Sequence, residues 1–147
     1  MLLSIHPVYV EQILTGTKTV ELRRTRPNVA PGQPVVIYAT TPSAALVATC
    51  RIKRLEIGSP RAIWTSVGNL AAVTKDEFDR YFAGSSSAVA LHISDVTELS
   101  STVSLDQLRE SCGFHPPQTW HFWTGDRLRR FSEHHHPLRA LHPLLIG

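Results

Sequence analysis

Lys18, Glu21, Arg23 and Arg24 fall within nine residues, "GTKTVELRR" at 16–24. A lysine is a compact cation suited to a phosphate or a carbonyl oxygen. An arginine offers a planar fork for bidentate contact with a phosphate or a base edge. A glutamate accepts from the amino group of a base, or serves as a general base. The residues between them are β-formers, so the stretch predicts a strand over 18–24. Alternation then places Thr19, Glu21 and Arg23 on one face, and Lys18, Val20, Leu22 and Arg24 on the other. Same-face neighbours stand roughly 7 Å apart, so Glu21 and Arg23 can orient one another, directly or through a ligand. Lys18 sits where the chain enters the strand, and its flexible end can curl to the same side. Spacing alone leaves two readings open. The stretch is one wall of a pocket for a polar ligand, or a strand tied by a buried ion pair of Glu21 with Arg23 or Lys18.

Two other stretches carry polar chemistry. In "YATTPSAA", Tyr38 ends a strand, and Thr40, Thr41 and Ser43 place hydroxyls around a proline turn. Such a loop offers N–H and O–H groups to an anion, and equally makes an ordinary polar turn. In "HPPQTWHFW", Gln118 can read a base edge, and Trp120 or Phe122 can stack on one. Alternating aromatics in a strand are also what a core uses. The run His134 to His136 has no carboxylate or cysteine at ligating spacing, and adjacent histidines point apart, so no metal is expected. The sequence has no glycine-rich phosphate loop, G-x-S-x-G elbow or H-E-x-x-H motif, and no cofactor is expected.

These residues need a scaffold, and the chain can build one. With 147 residues it is long enough for one domain with its own core. The formal charge of +3 favours an anionic partner such as nucleic acid. Its cations are grouped: Arg51, Lys53 and Arg54 in one run, and Arg127, Arg129, Arg130 and Arg139 near the end. Acids such as Asp76, Glu77 and Asp79 lie elsewhere. No run of about 18 apolar residues predicts a membrane span. Two cysteines, Cys50 and Cys112, make neither a disulfide framework nor a zinc site, so reduced thiols and a cytoplasmic setting are expected.

Along the chain, "MLLSI" reads as a short buried strand. "HPVYVEQILTG" reads as a helix, with Pro7 at its first position and Gly16 as its stop. Strands are predicted over 18–24, 35–39, 45–57 and 87–99, with a last one in "QTWHFW". Ser59 and Pro60 start a helix that Gly68 stops, and Trp64 on it is expected to pack against the sheet. Thr74 and Glu77 have capping-box spacing ahead of a helix whose buried face is Phe78, Tyr81 and Phe82. Ser104 caps a further short helix. This order predicts an α+β fold: a curved, largely antiparallel sheet of about six strands, closed as a small barrel with flanking helices. Residues 1–125 are expected to form the domain, and the His-, Arg- and Pro-rich residues 126–147 a loosely docked or mobile tail.

The ordered pieces "LLSIHPVYVEQILTGTKTVELRR", "PGQPVVIYATTPSAALVATCRI", "SPRAIW", "DEFDRYFAG" and "HPPQTWHFW" resemble the ASCH (activating-signal-cointegrator homology) family. The resemblance runs from about Leu2 to Phe122. Its most specific parts are G-x-K-x-x-E-x-R at Gly16, Lys18, Glu21 and Arg23, and "YATTP" at 38–42. It implies a PUA-like β-barrel and an RNA- or nucleotide-related role in a cleft beside the barrel. Ligand-binding residues are then expected at Lys18, Glu21, Arg23, Arg24, Tyr38, Thr40, Thr41, Ser43, Gln118 and Trp120. The partner is expected to be RNA, a nucleotide or a nucleoside. The resemblance also implies alternatives. Some small family members are amidohydrolases acting on N4-acetylated cytidine, with a strand like G-x-K-T-x-T-x-R and a distant glutamate. Lys18 and Arg23 match that pattern, but Glu21 stands at the threonine position, and a carboxylate replaces a hydroxyl nucleophile poorly. Glu77 is a candidate for the distant glutamate. Ribonuclease activity is associated with the family too, and would use Lys18 and Glu21 as acid–base groups. A third alternative is a regulatory interaction module on the same fold.

Overall fold

The computed structural model describes residues 1–122, so the expected 126–147 tail lies outside the described residues. The strands are β1 (Leu2–Ile5), β2 (Val20–Arg23), β3 (Gln33–Ala39), β4 (Ala45–Gly58), β5 (Ala88–Ser104) and β6 (Trp120–His121). The helices are α1 (Pro7–Leu14), α2 (Pro60–Val67), α3 (Lys75–Phe82) and α4 (Leu105–Cys112), with a 3-10 turn at Gly68–Leu70. The strands form one sheet in the order β2-β5-β4-β3-β1-β6. Every pairing is antiparallel except β1 with β3, where Leu3 faces Ile37. Among the described residues, β2 and β6 are the two free edges, so the sheet is a curled half-barrel.

The curl is made on β4 and β5. Their register shifts three times, between Leu46 and Ala48, Thr49 and Arg51, and Ile52 and Arg54. The first sets residues 99–102 of β5 against Val47 alone, the other two each leave one extra residue on one strand, and such irregularities bend the strand and raise its twist. Asp95 takes positive φ (53°) in the same stretch of β5.

The local signals read from the sequence operate as expected. Pro7 opens α1, and Gly16 follows its end at φ 81°. Ser59 caps α2 through Ala62 N. Thr74 and Glu77 close a reciprocal capping box on α3, and Ser104 and Gln107 do the same on α4. The expected strand 18–24 is shorter, because Lys18 N bonds back to Gln12 O and Thr19 N to Leu70 O instead of joining a ladder. The final strand shrinks to Trp120–His121.

Three apolar clusters result. One fills the inside of the curl, with Leu3, Ile5, Ile37, Cys50, Ile52 and Leu91 against Val10 and Ile13 of α1. A second packs α4 and Phe114 on Leu2, Val36, Tyr38 and Leu46. The third packs α2 and α3 on Val20, Leu22, Ala88 and Ala90. Among the described residues, no helix is long and apolar enough to cross a membrane.

Candidate functional site

β2 sends Val20 and Leu22 into the cluster under α2 and α3. By alternation, Glu21 and Arg23 face the opposite way, into the curl. There they line a cleft of about 260 Å3. Its walls come from β1 (Ser4, Ile5), the start of α1 (His6, Tyr9), Lys18, β2, the α3 region (Val73, Glu77, Phe78, Tyr81) and the segment Gln118–Thr119.

Lys18 lies just before β2, so strand alternation does not bind it. Its ammonium turns inward and is buried, at 3 % exposure. Lys18 Nζ donates to Ala71 O at 2.5 Å, lies 3.8 Å from Glu21 Oε2, and sits over the Tyr9 ring, 4.9 Å from its centroid. Glu21 and Arg23 are also buried, at 6 % and 8 %. Arg23 Nη1 donates to Glu21 Oε1 and to Leu22 O at 2.8 Å; Nη2 donates to Ser4 O at 2.9 Å. Two atoms of this group have no hydrogen-bond partner: Glu21 Oε2 and Arg23 Nε.

The electrostatics follow from burial. Loss of water pushes the Lys18 pKa below the usual lysine value; the Glu21 carboxylate opposes this and the Arg23 guanidinium adds to it. The Tyr9 phenol moves the other way: partial burial raises it, and the charges of Glu77 and Glu21 add to the effect. Two cations and one anion therefore share a low-dielectric floor, flanked by the rings of Tyr9, Phe78 and Tyr81.

Of the residues named from the sequence, Lys18, Glu21, Arg23 and Gln118 meet in this cleft, together with Glu77, the candidate for the distant glutamate. Arg24 is exposed beside it, with its guanidinium 4.7 Å from the centroid of the Tyr81 ring. The 38–43 loop does not line it. Tyr38 is buried in the α4 cluster against Phe114, with ring centroids 5.9 Å apart; Thr40 is half-buried, and Thr41 and Ser43 are exposed. Trp120 does not line it either: the ring packs against the inner core and lies 5.6 Å from Phe122.

His6 and Tyr9 line the cleft without any signal in the sequence, and Tyr81 lines it besides packing on its helix face. Tyr81 was expected in the core with Phe78 and Phe82. It packs half-buried against that cluster, edge-on to Phe82, and it also lines the cleft, with its hydroxyl donating to Leu22 O at 3.4 Å. Glu77 lines the cleft while one carboxylate oxygen caps Thr74 N at 2.8 Å. Among the described residues no cluster of three or more metal-ligating side chains occurs.

A relative, the ASCH domain-containing ribonuclease of Zymomonas mobilis, is 31% identical over 121 residues, or 80% of this chain and 81% of that protein. The crystal structure of ASCH from Zymomonas mobilis matches with a TM-score of 0.82 at 27% identity, covering 90% of this chain and 92% of that one. The expected PUA-like α+β architecture is the one found. The family model described as the ASCH domain matches residues 3–120, and the chain belongs to the ASCH domain family.

Proposed function

We propose that this protein binds RNA in the cleft through a single unpaired nucleotide. The observation that carries the reading is the buried Lys18–Glu21–Arg23 group at the floor of a cleft walled by three aromatic rings. A cleft of about 260 Å3 lies below the roughly 300–1,000 Å3 of pockets for drug-sized ligands, so one base or nucleoside fits and a base pair does not. Recognition of splayed, unstacked bases on aromatic faces is the usual route to single-stranded RNA. Titrating a fluorescent single-stranded RNA tests this. Lys18→Met should lower affinity about tenfold and keep the fold, the duplex of the same sequence should not compete, and affinity should fall with salt. Unchanged affinity in a folded Lys18→Met protein rejects this site.

A second reading is cleavage of the bound RNA. It is favoured by the ribonuclease relative and by the lowered pKa of Lys18, since a lysine poised nearer neutrality accepts protons. Cleavage of labelled RNA by wild type, Lys18→Met and Glu21→Gln tests it. Loss of cleavage with affinity retained makes these residues catalytic. Parallel loss of both makes them binding residues.

A further inference from the structure

Two cations at the floor invite the idea that a phosphate docks there. The hydrogen bonds argue otherwise. Arg23 has spent Nη1 on Glu21 and Leu22 and Nη2 on Ser4. Lys18 has spent one donor on Ala71 O and lies against Tyr9. Two buried atoms of the group carry no hydrogen bond at all, the acceptor Glu21 Oε2, which has the Lys18 ammonium 3.8 Å away, and the donor Arg23 Nε, and both belong to residues that line the same cleft. A phosphate offers acceptors only. It would leave Oε2 unpaired and set two negative groups against each other in a dry site, where the cost is highest. The Watson–Crick edge of a nucleobase carries an N–H donor and a lone-pair acceptor side by side. It therefore supplies both missing partners.

The walls match the same choice. Half-buried Tyr9 and Tyr81 line the cleft beside the buried Phe78, and aromatic walls suit the flat face of a base better than a phosphate. The exposed cation lies outside, where Arg24 is stacked on Tyr81 at the edge of the cleft.

Resting on the RNA-binding reading, we infer that the ligand enters base first: the Watson–Crick edge meets Glu21 Oε2 and Arg23 Nε, and the sugar–phosphate stays at the mouth near Arg24. Glu21 is then the residue that selects a base over a phosphate. Replacing it by glutamine has a definite sign. Arg23 holds the amide oxygen, so the amide NH2 takes the place of Oε2 and faces the N–H of the base, donor against donor.

The experiment compares uridine 5′-monophosphate, its N3-methyl derivative and ribose 5-phosphate by calorimetry, on wild type and Glu21→Gln, with thermal unfolding as the fold control. Uridine 5′-monophosphate should bind best. Methylation at N3, which removes the ring donor, should cost about tenfold or more, and so should loss of the base. Glu21→Gln should weaken the unmodified nucleotide by a similar factor and leave ribose 5-phosphate no tighter. If the variant fails to fold, the methylated ligand on wild type still decides. Equal affinity for all three ligands, or tighter ribose 5-phosphate binding by Glu21→Gln, overturns the base-first orientation. If a short single-stranded RNA still binds in that case, the RNA-binding reading survives alone. If neither that RNA nor any nucleotide binds, both fall.

Discussion

Arg23 Nη2 donates to the backbone oxygen of Ser4 at 2.9 Å, joining β2, at one end of the sheet, to β1, next to the other end. One side chain thereby spans the opening of the half-barrel. The hydroxyl of Ser4 donates to Pro117 O at 2.7 Å, and Ser4 N to Thr119 O at 2.9 Å. The same residue thus fixes the Gln118–Thr119 wall. The cleft and the closure of the curl share these atoms.

Arg23→Ala should therefore be costly. It leaves the Glu21 carboxylate buried with Lys18 alone at 3.8 Å, and strips partners from Ser4 O and Leu22 O. Removing one partner of a buried pair costs about 3–5 kcal/mol, while replacing the pair by apolar residues costs far less. Urea unfolding should place Lys18→Met/Glu21→Leu/Arg23→Met, which removes all three buried charges together, well above Arg23→Ala in stability. A wild-type midpoint for Arg23→Ala would mean that the tie contributes nothing.

Gly68→Ala should disturb the cleft from behind. A Cβ at Gly68 would meet the Trp64 ring atoms at 2.7 Å. Trp64 lies 5.0 Å from Phe78, centroid to centroid, and Phe78 is a cleft wall. Overpacking of this kind costs about 1–3 kcal/mol. The variant should melt earlier and bind RNA more weakly, with altered tryptophan fluorescence; an unchanged spectrum and melting curve would rule this path out.

Thr74→Ala removes the side-chain half of the α3 capping box, where Thr74 Oγ1 accepts from Glu77 N at 3.2 Å. The loss should be about 1 kcal/mol. Because α3 carries Glu77, Phe78 and Tyr81, RNA affinity should fall along with thermal stability, and Thr74→Ser should restore both. Full affinity in Thr74→Ala would uncouple the helix start from the site.

Cys50 should make the protein labile in base. Its thiol is buried in the inner core, and desolvation, with the charge of Glu21, pushes its pKa from 9.0 up to about 12. In that window the unfolded chain loses the thiol proton and the folded chain keeps it. Its contribution to stability is then complete below pH 9 and falls as pH rises toward 12. Urea midpoints measured from pH 8 to 11 should drop less steeply for Cys50→Ala than for wild type. Parallel slopes would exclude Cys50 as the cause.

Whatever depends on neighbours a few residues away is legible in the chain before it folds. Pro7, Ser59, the Thr74–Glu77 pair and Gly16 set helix ends through bonds of three or four residues' reach. Alternation in "VELR" put Glu21 and Arg23 on one face, because a strand reverses side at each residue. Tertiary structure decided what that face meets. The partner of Lys18 is the Ala71 carbonyl, 53 positions away, and that of Arg23 is Ser4, 19 positions back. Neither is a local preference. Both come from the parallel β1–β3 pairing and the bulges that curl β4 and β5. The same curvature turned Tyr9 and Tyr81 toward the cleft and left the 38–43 loop out of it. Composition gave no sign of either outcome, because a tyrosine or a threonine-rich turn suits a core, a surface or a site equally well until the sheet chooses its inside.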